Sequence, residues 1–157
     1  MDPRSPATPE ILTQQLQLSQ KILGEVAEAR RSLAEMSSAQ KKLADIQQQL
    51  KQQKSQDENL KLSVHEAQAA LLTMYTGREN EDAGLPGLKS AYLGLQSALR
   101  VVESGDRAVP AQATAVYEES NQQAKTRISE WKNFKNTTLP QLNELLRKAN
   151  LAPIAIA

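Results

Sequence analysis

Apolar residues recur along the first third of the chain at the three- and four-residue spacing of a single helix face. Between residues 10 and 53 there is no proline, and Gly24 is the only glycine. Thr8 offers a hydroxyl group for an N-cap, and Pro9 suits the first helical position. The pattern predicts one long helix over residues 9–53. Its apolar seam consists of Leu12, Leu16, Leu23, Val26, Leu33, Met36, Leu43, Ile46 and Leu50.

Two shorter segments with clean heptad spacing follow, and they predict helices over residues 57–76 and 86–104. A wholly polar run, residues 51–59, marks the turn before the first of them. Gly77 is the expected C-cap of that helix, and residues 78–87 have the composition of a loop. The two seams are Leu60, Val64, Ala67, Leu71 and Met74, and then Leu88, Tyr92, Leu95, Leu99 and Val102.

A fourth helix is predicted over residues 110–149, opening at Pro110. Pro140 interrupts its seam, so we expect a kink there, or a restart with Thr138 as N-cap and Gln141 reaching back. Trp131 should lie buried between helices, near Ile128. The seam consists of Ala113, Tyr117, Ala124, Ile128, Trp131, Phe134, Leu139, Leu142, Leu145, Leu146 and Ala149.

These elements predict an all-α fold, an antiparallel up-down-up-down four-helix bundle with long helices 1 and 4 and short helices 2 and 3. Residues 9–149 form the single helical domain, residues 1–8 an extended lead-in and residues 150–157 an extended tail. The short pair should cover only half of the long pair, from Leu33 to Leu50 and from Ala113 to Trp131. Both ends of the chain should lie at the other, uncovered half.

The uncovered half predicts an interaction surface, because an apolar face without a partner usually marks a docking site. The alternative is that the tail, through Leu151, Ile154 and Ile156, folds back over this face. The residues expected to form the surface are Ile11, Leu12, Leu16, Leu18, Ile22, Leu23, Leu139, Leu142 and Leu146.

Composition supports this fold class and narrows the function. Of 157 residues, 21 are Ala, 21 are Leu and 17 are Gln, which favours helices over strands. The net charge of +1 gives no electrostatic reason to expect binding to nucleic acid or to a membrane surface. There is no cysteine, so no thiolate site or disulfide can form. We also find no signal peptide and no apolar run long enough to span a membrane.

The residues capable of chemistry are scattered. His65 is the only histidine, and its mid-helix position indicates a surface residue rather than a catalytic or metal-binding one. Glu79, Glu81 and Asp82 share a loop, but their spacing does not match that of a calcium-binding EF-hand. We therefore expect no catalytic residue, no metal and no cofactor.

Several stretches resemble a known helical domain. The opening MDPR, followed by LTQQLQLSQKIL, resembles the start of a domain at the C-terminus of large bacterial proteins with sortilin-like or BNR-type β-propeller repeats, often labelled glycosyl hydrolases. Further matching stretches are GLPGLKSAYLGLQSALRVVESGD, VPAQATAVYEE and the closing WKNFKNTTLPQLNELLRKANLAPI. The resemblance covers nearly the whole chain, and it is a likeness of pattern without a catalytic signature.

The resemblance implies that this chain is one domain of a longer exported protein, periplasmic or extracellular, and that any hydrolytic or binding activity of that protein belongs to its propellers. It also implies a partner: the β-rich domain that precedes this one in the same protein. The expected function is a non-catalytic interaction domain that docks through the apolar surface. The alternative is a free-standing helical-bundle adaptor or sensor module that self-associates; an enzyme in its own right is the least favoured reading.

Overall fold

The computed structural model describes residues 7–77, 85–105 and 107–156, and within these ranges the chain is all-α without strands. The predicted fold class, with four helices of which the first and fourth are long, is confirmed. The predicted fourth helix is continuous in space, although a π-helical turn divides it into two α-helical parts. The elements are α1 (Pro9–Gln52), α2 (Glu58–Thr76), α3 (Leu88–Val102), α4 (Ala111–Asn133), the π-turn (Phe134–Thr138) and α5 (Leu139–Lys148).

The helix ends follow local capping chemistry. The Thr8 hydroxyl accepts a hydrogen bond from the Ile11 backbone at 3.3 Å, as the sequence predicted. Gly77 closes α2 with a φ of 84°, a conformation that glycine adopts without steric cost. α1 and α5 end differently, with Lys54 and Asn150 in the left-handed region, each within a Schellman hydrogen-bond pattern.

α3 runs in the same direction as α2, so the predicted up-down-up-down order is wrong at this point. Near the start of α1, the Gln15 side-chain amide donates to the backbone carbonyl groups of Val102 and Gly105, at the end of α3. Near the other end of α1, Gln47 accepts a hydrogen bond from Gln68 of α2 at 3.5 Å. Both short helices are therefore antiparallel to α1, and they lie end to end.

The bundle thus has three columns: α1, then α2 followed by α3, then α4 followed by α5. α4 runs parallel to α1, since Lys21 lies over the Tyr117 ring while Lys135 pairs with Glu35 further along both helices. The described ends of the chain therefore lie at opposite ends of the bundle, not together as predicted. The short helices also cover both halves of the long pair, not one. The apolar spacing of a helix is the same in either direction, so it could not reveal this order.

The core extends along all three columns, and Trp131 is fully buried within it, as predicted. Its ring stacks on Phe134, with the two centroids 5.5 Å apart. The largest fully buried side chains are Trp131, Ile22, Met36, Leu43, Leu60, Leu71, Leu88, Leu95, Leu146, Val64 and Val102.

The π-turn accommodates Pro140 without ending the helix. A proline inside a helix lacks an N–H donor and clashes with the carbonyl group four residues earlier. Here the five residues Phe134–Thr138 widen the helix immediately before Pro140, and the Leu139 amide bonds to the Phe134 carbonyl group. Thr138 has helical dihedral angles and makes no capping bond through its side chain. The expected restart with Thr138 as N-cap is therefore wrong.

Residues 151–156, which we call the strap, turn back after Asn150 and lie between α5 and α1. Ile154 is buried, and Leu151 and Ile156 are half-buried against the core. The tail does fold back, as the alternative interpretation expected. It covers the Leu142–Leu146 end of the bundle, however, and not the start of α1.

Candidate interaction surface

The nine residues expected to form one surface do not lie together. Four of them are buried in the core: Ile22, Leu139, Leu142 and Leu146. Three are half-buried, and two are exposed. The half-buried residues are Ile11, Leu12 and Leu18, and the exposed ones are Leu16 (58%) and Leu23 (47%).

The nine residues also lie at two different ends of the bundle. Leu142 of α5 shares the wall of a cleft with Ala67 of α2, at one end of the bundle. Leu18 of α1 lines a notch with Val109 at the other end. The expected surface was therefore wrong as a single face, because α2 and α3 together reach both ends of the long helices.

A smaller stripe on α1 remains largely uncovered, with Leu16 and Leu23 exposed and Leu12 half-buried. Leu12, Leu16 and Leu23 lie within an arc of about 40° on the helix, at 100° per residue. Val26 and Leu33, further along the helix, pack against the core, whereas Leu16 and Leu23 point outward. We call Leu12, Leu16 and Leu23 the leucine stripe. They lie on the first turns of α1, where the chain enters the bundle.

A notch lies at the same end of the bundle as the leucine stripe. It has a volume of 290 Å³, and Ile11, Leu18 and Val109 give it apolar walls. That is room for one large side chain. The leucine stripe and the notch together form the exposed apolar surface at this end of the bundle.

A larger cleft of 640 Å³ lies where α2 gives way to α3, beside the π-turn. Its walls combine apolar residues such as Met74 and Phe134 with Arg127, which is only 7% exposed. The Arg127 guanidinium donates to the carbonyl oxygens of Pro86 (3.0 Å) and Leu85 (2.5 Å), and to the Glu130 carboxylate (2.8 Å). Through one hydrogen bond from each of its three nitrogen atoms, Arg127 holds the segment before α3 in place.

No sequence pattern indicates this role of Arg127. Its partners are backbone carbonyl groups about forty residues earlier in the chain, and no spacing pattern reports such a contact.

Glu35 connects the two long columns. Its carboxylate accepts hydrogen bonds from the Trp131 indole at 2.8 Å and from Lys135 Nζ at 2.6 Å. Burial alone would raise the pKa of Glu35, but the hydrogen bonds from Lys135 and Trp131, together with the positive charges of Lys135 and Arg31, lower it below its ordinary value. The ionised carboxylate is therefore the form that the fold stabilises.

We expect stability to depend on pH through Glu35. A pKa lower in the folded than in the unfolded state contributes stability above the unfolded value of about 4.5, and the contribution is lost as pH falls through the folded pKa. Glu35→Gln should lower the free energy of unfolding by about 1–3 kcal/mol at pH 7, and the difference should shrink towards pH 3. Urea denaturation at several pH values measures this.

The control for Glu35→Gln is Glu28→Gln, on the same helix. Glu28 pairs with Lys132 at 3.2 Å, but both side chains are substantially exposed. An exposed pair contributes about 0–1 kcal/mol, so this variant should change little at any pH. Equal effects of the two substitutions would contradict the role assigned to Glu35.

Tyr117 is buried and close to two charged side chains of α1. Burial, the hydrogen bond to Glu25 and the nearby negative charges raise the pKa of Tyr117, so its hydroxyl group stays protonated. The second oxygen of the Glu25 carboxylate is buried without a hydrogen-bond partner. Lys21 lies 5.8 Å from the centre of the Tyr117 ring. The arrangement is a core contact between α1 and α4.

His65 is exposed on α2, as the sequence predicted. Within residues 7–77, 85–105 and 107–156, no three His, Asp or Glu side chains are grouped so that they could hold a metal ion. The acidic residues Glu79, Glu81 and Asp82 lie outside the described residues.

Replacing His65 by alanine should change the free energy of unfolding by less than about 0.5 kcal/mol, because the side chain is exposed. Thermal unfolding measures the stability, and metal analysis of the purified protein measures zinc content. Stoichiometric zinc that the His65→Ala variant loses would overturn the prediction that His65 binds no metal.

No family model, curated protein or solved structure matches this chain. None of the helices in the part of the chain that the structure describes is long and apolar enough to cross a membrane.

Proposed function

We propose that this chain is a non-catalytic interaction domain of a larger exported protein, and that it packs through the leucine stripe on a β-rich domain that precedes it. The observation that carries the proposal is the exposure of Leu16 and Leu23 on one face of α1. The resemblance to the C-terminal helical domain of β-propeller proteins supports the same partner.

The energetics favour a covered stripe. Burying a leucine side chain is worth about 1.5–3 kcal/mol. The exposed leucine side chains of the stripe do not contribute this burial free energy in the isolated chain. They lie on the first turns of α1, near the point at which a preceding domain would be connected. Contacts between domains of one chain bury about 600–1,500 Å² in total, so the notch beside Ile11 and Leu18 would contribute to the same contact.

The test compares the isolated chain with the longer protein encoded by the upstream reading frame. Leu16→Glu with Leu23→Glu should leave the isolated chain as stable as before, since both positions are exposed. In the longer protein, the same pair should release the helical domain from the preceding one. Limited proteolysis between the domains and loss of a shared unfolding transition would report this release.

The matched control is Leu62→Glu with Leu72→Glu, at comparably exposed positions of α2 (56% and 55%). This pair should have no effect on the contact between the domains. Equal effects of the two pairs, or an upstream frame without β-rich repeats, would refute the proposal.

Self-association is the competing function, and sedimentation velocity tests it on the isolated chain. A domain that packs on a preceding domain of the same protein should, in isolation, sediment as a monomer or associate only weakly at micromolar concentration. A tight dimer that the Leu16→Glu substitution disrupts would instead support the free-standing adaptor.

A further inference from the structure

The groove between α1 and α5 is filled by the chain's own strap. α5 packs mainly against α2, and its contact with α1 is slight. The Schellman turn at Asn150 reverses the chain, with the Leu151 amide bonded to the Leu146 carbonyl group at 2.9 Å. The strap then runs back between the two helices without helical structure.

The groove recognises the backbone of the strap. The Asn143 side-chain amide donates from Nδ2 to the Ile154 carbonyl oxygen at 3.0 Å. Its oxygen accepts from the Ile154 backbone N–H at 2.8 Å. Asn143 thus makes the pair of bonds that a neighbouring β-strand would make. From α1, Lys42 donates to the Ala155 carbonyl group. None of these bonds depends on the identity of a strap side chain.

The last three described residues of the strap, 154–156, alternate in burial as the residues of a β-strand do. Ile154 is buried at 4% exposure, Ala155 is exposed and Ile156 is half-buried. Successive side chains of an extended segment point to opposite sides, so Ile154 and Ile156 face the groove while Ala155 faces away from it. The groove therefore accommodates two apolar, β-branched side chains spaced two residues apart.

We propose that this groove is a binding site for an extended apolar peptide segment, and that the strap is its intramolecular ligand, replaceable by a segment of the same chemistry. One buried side chain and a few hydrogen bonds hold the strap, and they compete with the conformational entropy of six ordered residues. Covalent attachment supplies a high effective concentration, which keeps the strap in place when no other segment is present. The inference does not depend on the leucine stripe.

The test uses the full chain and a fluorescently labelled peptide with the sequence of residues 151–157, LAPIAIA. Ile154→Asp alters the strap and leaves the groove intact, so it should open the site. Fluorescence anisotropy should then show peptide binding at least about tenfold tighter than to the wild type, where the closed strap competes. Ala152→Asp adds the same charge at an exposed strap position and should behave as the wild type.

Two further measurements identify the groove as the site. Adding Asn143→Ala to Ile154→Asp should abolish peptide binding, because both backbone hydrogen bonds are lost. A labelled peptide with aspartate in place of its first isoleucine should not bind the opened protein. Equal binding to the wild type and the Ile154→Asp variant, or binding that persists without Asn143, would overturn the proposal.

A separate measurement on the wild type covers the case in which the Ile154→Asp variant does not fold. The Ile154 amide should exchange its hydrogen at least about tenfold faster than the Leu146 amide, because a replaceable strap opens without unfolding the bundle. Equal protection of the two amides would make the strap an integral part of the core and would refute the proposal.

Discussion

Replacing Trp131 by alanine should lower the free energy of unfolding by about 3–5 kcal/mol, the range for deleting a large buried aromatic side chain. The substitution leaves a cavity between α1 and α4 and removes the ring that stacks on Phe134. It also removes the indole N–H that Glu35 accepts, so a partly buried carboxylate loses one of its two hydrogen bonds. Urea denaturation followed by circular dichroism measures the loss.

Trp131→Phe separates the two contributions. Phenylalanine fills most of the cavity but cannot donate to Glu35, so it should cost about 1–3 kcal/mol, the penalty for an unsatisfied partly buried group. Combining Trp131→Phe with Glu35→Gln should cost less than the sum of the single changes, because the two residues share a hydrogen bond. A loss below about 1 kcal/mol for Trp131→Ala would contradict the burial of the ring.

Gly87→Ala should destabilise the protein by about 3 kcal/mol or more, at or beyond the usual upper end for overpacking. A Cβ atom at residue 87 would lie 2.3 Å from the Thr76 carbonyl carbon and 2.4 Å from the Gly77 nitrogen. These are backbone atoms, which cannot rotate away as a side chain can. The Gly87 backbone has an ordinary φ of −69°, so the requirement for glycine is one of space and not of conformation. Thermal unfolding of the variant measures the effect.

Gly24→Ala is the matched control, because no atom outside the neighbouring backbone of α1 lies within 4 Å of a Cβ placed there. Gly24 lies inside α1, where alanine is favoured over glycine by about 0.5–1 kcal/mol. The two Gly→Ala changes should therefore shift stability in opposite directions. A neutral Gly87→Ala variant would show that the α2–α3 junction is looser than the contact distances indicate.

The helices were predictable because their signals are local. Leu60, Val64 and Ala67 alternate at four and three residues, and only a helix places such positions on one face. Gly77 marked the end of α2 by the same local logic, since a glycine commonly follows the last helical turn. The observed helix ends lie within about two residues of those predicted.

The direction of α3 relative to α2 could not be predicted, because it depends on contacts that no local pattern encodes. Residues 77–87 are long enough either to reverse the chain or to continue in the same direction. The continuation is fixed by Gly87 against Thr76, by Arg127 on two carbonyl groups, and by Gln15 at the far end of α3. These pairs are separated by 11 to 90 residues in sequence. The sequence predicted that one half of the bundle contains only the two long helices. In the structure, α3 packs against that half as well.

The candidate surface shrank for the same reason. Ile22 and Leu23 are adjacent in sequence, and both were expected on the surface, at opposite edges of the apolar face of α1. Ile22 faces the core that α3 completes, while Leu23 points outward at 47% exposure. The path of α3 decides which of the two edges is covered. The leucine stripe is what remains of the predicted surface once that helix is in place.

Entry and exit at opposite ends also determine how the domain would respond to tension. Pulling on the two described ends draws α1 and α5 in opposite directions along their parallel axes. The strap, which runs backwards from Asn150, would peel away first, one contact at a time. The force would then act in shear across the whole contact between the long columns, along an α1 of 44 residues, or about 66 Å. A bundle whose ends lay together would instead unzip one helix pair at a time, at lower force. Single-molecule extension should show a small early event from the strap, followed by one larger rupture.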